Sequence, residues 1–203
     1  MLPFDVILFD IGGVLLTNGW DHCERSAVLD KFHLDQAEFE ARHAKPNDAW
    51  ERDLITAREY LDATVFYEPR DFTHDDFLAA LFAESELLPN GALSILEELA
   101  ASGRWMLGSL NNEAREPNHY RLETFGLRQY FDATFSSCYV GLRKPQPEMY
   151  RRALDVLGRP AERVLFIDDR QENASAAAAQ GMKAIRFDGA EQLRRDLETL
   201  SVL

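Results

Sequence analysis

Five short apolar runs, separated by stretches of helical periodicity, constrain the fold of this chain more than any other feature. The first is residues 5–9, closed by Asp10 and the pair Gly12 and Gly13; the others are 105–109, 132–136, 163–167 and 183–187. A strand buried on both faces needs an apolar run of this kind, without strict polar alternation. Between the runs lie helical segments, among them 89–101, 147–157 and 171–180. Strands alternating with helices imply right-handed crossovers, and therefore a parallel sheet covered on both faces. The expected fold class is α/β, a Rossmann-like doubly wound parallel sheet.

One stretch interrupts the alternation. From about Trp20 to Glu84 the periodicity is helical with no strand, with candidate helix starts at Asp35, Asn47, Thr56 and Thr73. Thr73 followed by Asp76 has the form of a capping box, a hydroxyl at the cap and a carboxylate three residues later. A helical insertion directly after the first strand is expected to form a small cap over the carboxyl edge of the sheet, where open α/β sheets bind ligands. The expected division is a core of 1–17 and 86–203 and a cap of 18–85. Trp50 and Phe66 are expected in the cap core, with Asn18 and Trp20 at the mouth beneath it.

Composition narrows the partners. A chain of 203 residues with net charge -13 lacks the clustered cations that a nucleic acid or an anionic membrane requires. An anionic substrate then needs a metal or a local positive site. The only cysteines, Cys23 and Cys138, have no paired spacing, and no apolar stretch is long enough to span a bilayer. Free thiols and a cytoplasmic location are expected, with neither a nucleic-acid nor a membrane partner.

Four polar features fall at the carboxyl ends of predicted strands. They are Asp10 with Gly12 and Gly13; Ser109 followed by Leu110, Asn111 and Asn112; the loop Arg143, Lys144 and Pro145; and the adjacent carboxylates Asp168 and Asp169. Each alone has a mundane explanation as a cap, a turn or a solvated face. Two carboxylates side by side at a strand end repel each other unless a cation joins them, which makes the last feature a candidate metal site. The histidines, His22, His33, His43, His74 and His119, show no metal spacing, and surface or capping roles are expected for them. Arg115 and His119 are weak candidates for facing the cleft.

In this order and across the whole chain, the four features resemble the motif set of the haloacid dehalogenase superfamily. They are most similar to its phosphatase-like branch, which includes the phosphatase domain of epoxide hydrolase and sugar-phosphate phosphatases. The resemblance implies a Mg²⁺-dependent hydrolase acting on a small phosphorylated metabolite. It makes Asp10 the nucleophile that forms an aspartyl-phosphate, and Lys144 the cation that neutralises both Asp10 and the phosphoryl group. Ser109 would bind a phosphoryl oxygen, with Leu110, Asn111 and Asn112 helping. Mg²⁺ would sit on Asp10, Asp169 and the carbonyl of Gly12, with Asp168 holding a metal-bound water. A hard cation that keeps its waters and takes few carboxylates suits this donor set.

Gly12 departs from the pattern, because most phosphatases of this kind carry a second aspartate there as general acid and base; Leu110 departs at a position that is usually Asn. Two alternatives stay open at this point. One is a 2-haloacid dehalogenase, in which the aspartate attacks carbon without a metal; Asp168 and Asp169 weigh against it. The other is a phospho-ligand binding protein that has lost turnover with the second aspartate.

Overall fold

The computed structural model describes residues 3–203. Met1 and Leu2, the start of the expected core segment, lie outside the described residues. In chain order the elements are β1 (Val6–Phe9), α1 (His22–Lys31), α2 (Gln36–Glu51), α3 (Ala57–Thr64), α4 (His74–Ala83), α5 (Leu93–Ser102), β2 (Met106–Asn111), α6 (Arg115–Thr124), β3 (Ala133–Ser136), α7 (Ser137–Val140), α8 (Pro147–Leu157), β4 (Val164–Asp168), α9 (Gln171–Ala179), β5 (Lys183–Arg186) and α10 (Ala190–Thr199).

The strands form a five-stranded sheet in the order β3-β2-β1-β4-β5, and every pairing is parallel. Along β1, Ile7 and Phe9 enter one core cluster with Ile95, Leu96, Leu99, Leu193 and Leu197 of α5 and α10. Val6 and Leu8 enter the opposite cluster with Met149, Tyr150 and Ala177 of α8 and α9. Alternate residues thus feed two apolar layers, which explains why the run lacks polar alternation. The chain steps from β1 to β2 on one side and later to β4 on the other. This reversal of direction opens a crevice at the carboxyl ends of β1, β2 and β4.

Helices α1 to α4 lie together between β1 and α5 and share their own cluster, built on Trp20, Leu29, Phe39, Trp50, Tyr60 and Phe77. Its centre is polar as well as aromatic. The Tyr60 hydroxyl accepts from Trp20 Nε1 at 2.7 Å and lies 2.8 Å from His43 Nδ1, and the Trp50 ring stacks on Tyr60 at 4.4 Å. Burial pushes the His43 imidazole down to about 4, so it is neutral. His43 is therefore a cap-core residue, not the surface or capping histidine that sequence spacing suggested.

The caps at Asp35, Thr56 and Thr73 form, the last two as full capping boxes. Two helix starts in the insertion differ from the sequence expectation. No helix starts at Asn47, because α2 runs through Pro46 without a break. Proline there removes one backbone hydrogen bond, yet Phe39, His43 and Trp50 are buried along the same helix, and their packing outweighs the local break. Asp21, which caps α1 by accepting from Cys23 N, starts a helix that periodicity did not reveal.

Candidate active site

The sheet edge brings Asp10, Lys144, Asp168 and Asp169 together. Asp10 leaves β1 almost wholly buried, and its Oδ1 accepts from the Ile11 backbone N–H at 2.8 Å. Lys144, in the loop before α8, places Nζ 2.8 Å from Asp10 Oδ2 and 2.7 Å from Asp168 Oδ2. That loop is itself pinned. Asn112 accepts from Lys144 N through Oδ1 and donates to Lys144 O through Nδ2, each at 2.9 Å.

Asp168 ends β4 and is fully engaged by protein donors. Besides Lys144, it accepts from Arg170 N at 2.9 Å and from Asn173 Nδ2 at 3.0 and 3.1 Å. The resemblance implied that Asp168 holds a metal-bound water; in this geometry its oxygens meet Lys144, Arg170 and Asn173. Asp169 is the opposite case, since its Oδ1 is buried and has no hydrogen-bond partner. Its other oxygen lies where a side chain on Gly13 would be, and Gly13 has φ 71°, a conformation suited to glycine.

Electrostatics agree with a cation-seeking site. Burial pushes Asp10 up despite the pull of Lys144, and Asp168 and Asp169 push it further. Burial also raises Asp169, and repulsion from Asp168 adds to it. Burial alone would lower Lys144, but Asp10 and Asp168 outweigh that and hold its ammonium above the ordinary value. Among the described residues, Asp10, Asp168 and Asp169 form a group able to hold a metal, with ligand atoms within 4.8 Å of one another. An orphaned buried oxygen inside a cluster of like charges is what a small hard cation would satisfy.

Of the second predicted motif, only Asn112 reaches the cleft. Strand β2 continues to Asn111, so Ser109 is an internal strand residue paired with Phe9, wholly buried and without a partner for Oγ. Leu110 packs among Val6, Leu8 and Phe135. Asn111 turns inward, donating to Asn118 Oδ1 at 3.0 Å and accepting from Ser136 Oγ at 2.8 Å. The structure thus places Ser109, Leu110 and Asn111 within β2 and off the cleft lining, and their local sequence carries no sign of where the strand ends.

Above these residues opens a cleft of about 610 Å³, lined also by Gly12, Asn18 and Trp20 and by charged residues of the helical insertion and the core loops. Arg143 joins the two, with Nη1 2.9 Å from Asp48 Oδ1 and Nε 2.7 Å from Glu51 Oε2 on α2. Arg115 is paired with Asp53 on the protein surface and is not among the residues that line the cleft.

A family model described as haloacid dehalogenase-like hydrolase matches residues 4–181. The chain belongs to this family. It is a hydrolase of the haloacid dehalogenase-like type, and its relatives include named phosphatases. Flavin mononucleotide hydrolase 1 of Arabidopsis thaliana is 30% identical over 186 residues, covering 86% of this chain and 74% of that protein. A sesquiterpene phosphatase of Aspergillus oryzae is 27% identical, covering 91% and 90%. Other relatives are longer, and the chain spans 36% of a drimenol cyclase of Aspergillus calidoustus. A magnesium complex of a family enzyme from Bacteroides thetaiotaomicron superposes with TM-score 0.78 at 22% identity, over 95% of this chain and 99% of that one. At that identity the likeness is one of fold.

In this haloacid dehalogenase-like hydrolase, sequence motifs found the carboxylates and the lysine but missed Arg25, Asp48, Glu51, Glu113, Arg121 and Arg170, all of which line the cleft. None stands in a recognisable spacing. They meet only because the insertion folds back over the sheet edge.

Proposed function

We propose that this hydrolase is a Mg²⁺-dependent phosphomonoester phosphatase acting on a small phosphorylated metabolite, with Asp10 as its nucleophile. The observation that carries this is the placement of Lys144 Nζ between Asp10 and Asp168, beside the unpartnered Oδ1 of Asp169. Asp10, Asp169 and the backbone carbonyl of Gly12 would hold Mg²⁺. When bound, the cation supplies charge neutralisation between an anionic nucleophile and an anionic phosphate.

The protein's own groups do the rest. Asp10 is held by Ile11 N and Lys144, so one carboxylate oxygen is oriented toward phosphorus without rotamer search. Attack forms the aspartyl-phosphate and breaks the ester P–O bond. Lys144 stays protonated because two carboxylates flank it, and it balances charge on the phosphoryl oxygens. Asp168 and Asn112 act on Lys144, one on its side chain and one on its backbone. Water then attacks the phosphoenzyme and releases phosphate.

Residues 18–85 serve as the cap that covers the substrate and selects it. Cys23 and Cys138 are free thiols, which suits a reducing compartment such as the cytoplasm. Among the described residues no helix is long and apolar enough to cross a membrane. The deciding experiment is a screen of p-nitrophenyl phosphate and phosphorylated metabolites with Mg²⁺ or EDTA, alongside 2-chloropropionate. Mg²⁺-dependent phosphate release is expected; EDTA-resistant chloride release would establish dehalogenation instead.

A further inference from the structure

Gly12 leaves the site without an ionisable side chain two residues after the nucleophile. The space that a Cβ at this position would enter is bordered by Asn18, with Cα and Oδ1 each at 3.4 Å. An amide has no acidic proton to give. An alkyl ester nevertheless needs a proton on its departing oxygen, help that is typically worth about 10²–10⁴ in rate.

The other carboxyl groups on the cleft, the nucleophile apart, belong to the helical insertion or are exposed. Asp21 caps α1, Asp48 pairs with Arg52 and Arg143, Glu51 is held by Asn47 and Arg143, and Glu172 is exposed on α9. Glu113 differs. It lies two residues beyond β2, is buried, and its backbone is pinned in both directions by Ser137 Oγ, at 2.9 and 3.2 Å. Arg121 Nη1 donates to Glu113 Oε2 and is steadied by its neighbour Nη2 on Thr17 O, while among the described residues no hydrogen bond reaches Glu113 Oε1. The segment 17–19 ties the two places together. Thr17 holds Arg121, Asn18 borders Gly12, and a Cβ on Gly19 would lie 3.2 Å from Glu113 Oε2.

We propose that Glu113 is the general acid and base of this site, standing in for the carboxylate missing at residue 12; this rests on the phosphatase function above. As an Asp10 oxygen bonds to phosphorus and the ester P–O bond breaks, the proton on Glu113 passes to the departing oxygen, leaving an alcohol and a Glu113 carboxylate. Water then attacks phosphorus and yields its proton to Glu113. The bond from Asp10 to phosphorus breaks, releasing phosphate and restoring both residues.

Both protonation states are accessible to this group. Burial pushes the Glu113 carboxyl up to about 7, Arg121 of α6 opposes the shift, and Glu51 of α2 adds to it. Glu24 of α1 feels the same Arg121.

The test uses Mg²⁺-loaded protein with p-nitrophenyl phosphate, whose leaving group needs no proton, and an alkyl phosphate, whose leaving group does. Glu113→Gln is expected to lower kcat/KM for the alkyl ester by about 10²–10⁴-fold, and for the aryl ester by less than about tenfold. Aryl turnover should then show a burst, because the second half-reaction has lost its base. Equal losses for the two esters, or none, would overturn the assignment. Should the variant misfold, the wild type still decides. Its alkyl-to-aryl ratio of kcat/KM is expected to fall as pH rises through about 7, and a pH-independent ratio overturns the proposal. Failure of the wild type to hydrolyse p-nitrophenyl phosphate would instead remove the phosphatase function itself, and this proposal with it.

Discussion

A Cβ on Gly13 would overlap the carboxylate of Asp169. The loop after β1 and the end of β4 thus close on each other through a contact that only a residue without a side chain permits. Gly13→Ala is therefore expected to displace Asp169 and weaken Mg²⁺ binding by about 10–100-fold. The left-handed backbone at φ 71° adds a cost of about 1–2 kcal/mol for alanine. Titration calorimetry with Mg²⁺ measures the loss. Gly12→Ala, whose Cβ would meet nothing nearer than 3.4 Å, should lose much less.

Asp10→Asn should abolish phosphate release, with a drop on the order of 10⁴-fold or more, since an amide cannot form the aspartyl-phosphate. The metal-free protein should unfold at a higher temperature than wild type, because the substitution removes one of three crowded carboxylates. Near-native turnover in a purified preparation would refute the nucleophile assignment, and calorimetry checks the stability.

Arg143 binds the insertion to the core loop that carries Lys144. Its removal leaves Glu51 buried, without the ion pair that opposes the upward push of burial on its carboxyl. Arg143→Ala is expected to destabilise the protein by about 1–3 kcal/mol, most of it the cost of the stranded Glu51. Glu51→Gln in the same chain should recover part of that loss. A thermal-unfolding cycle over the two single variants and the double variant measures the coupling, and full additivity would show that the pair does not act as a clasp.

His43 gives the cap a definite acid sensitivity. Its folded value near 4 lies below the ordinary 6.5, so the unfolded chain binds the proton more tightly. The stability from neutral, buried His43 is fully present above about 6.5 and is lost as pH falls toward about 4. Tryptophan fluorescence from Trp20 and Trp50, both against Tyr60, should report the cap loosening over that range. His43→Gln, which cannot titrate there, should flatten the profile.

Much of the fold was legible because local patterns and global architecture agree. Short continuous apolar runs bounded by turn residues fit strands buried on two faces, and helical periodicity between them favours parallel crossovers. Asp10, Lys144, Asp168 and Asp169 could be singled out because the four polar features occur together and in the order of a family motif set, although each alone has a mundane explanation. Other features resisted. Pro46 is a local helix breaker, overruled in α2 by the packing of Phe39, His43 and Trp50.

Ser109 shows the limit most clearly. Apolar content cannot say whether β2 stops at residue 109 or 111, yet those two residues decide which side chain clears the sheet edge. Leu110 lies inside the strand and packs into the core, whereas Asn112 lies one residue beyond the strand end and reaches the cleft. Glu113, Arg121 and the clasp of Arg143 with Asp48 and Glu51 were hidden for a related reason. Sequence determined the strands, the helices and the chemistry at the end of each strand. Only tertiary structure decided which charges face one another across the cleft, because that depends on how the helical insertion docks, and docking is set by contacts between residues far apart in the chain.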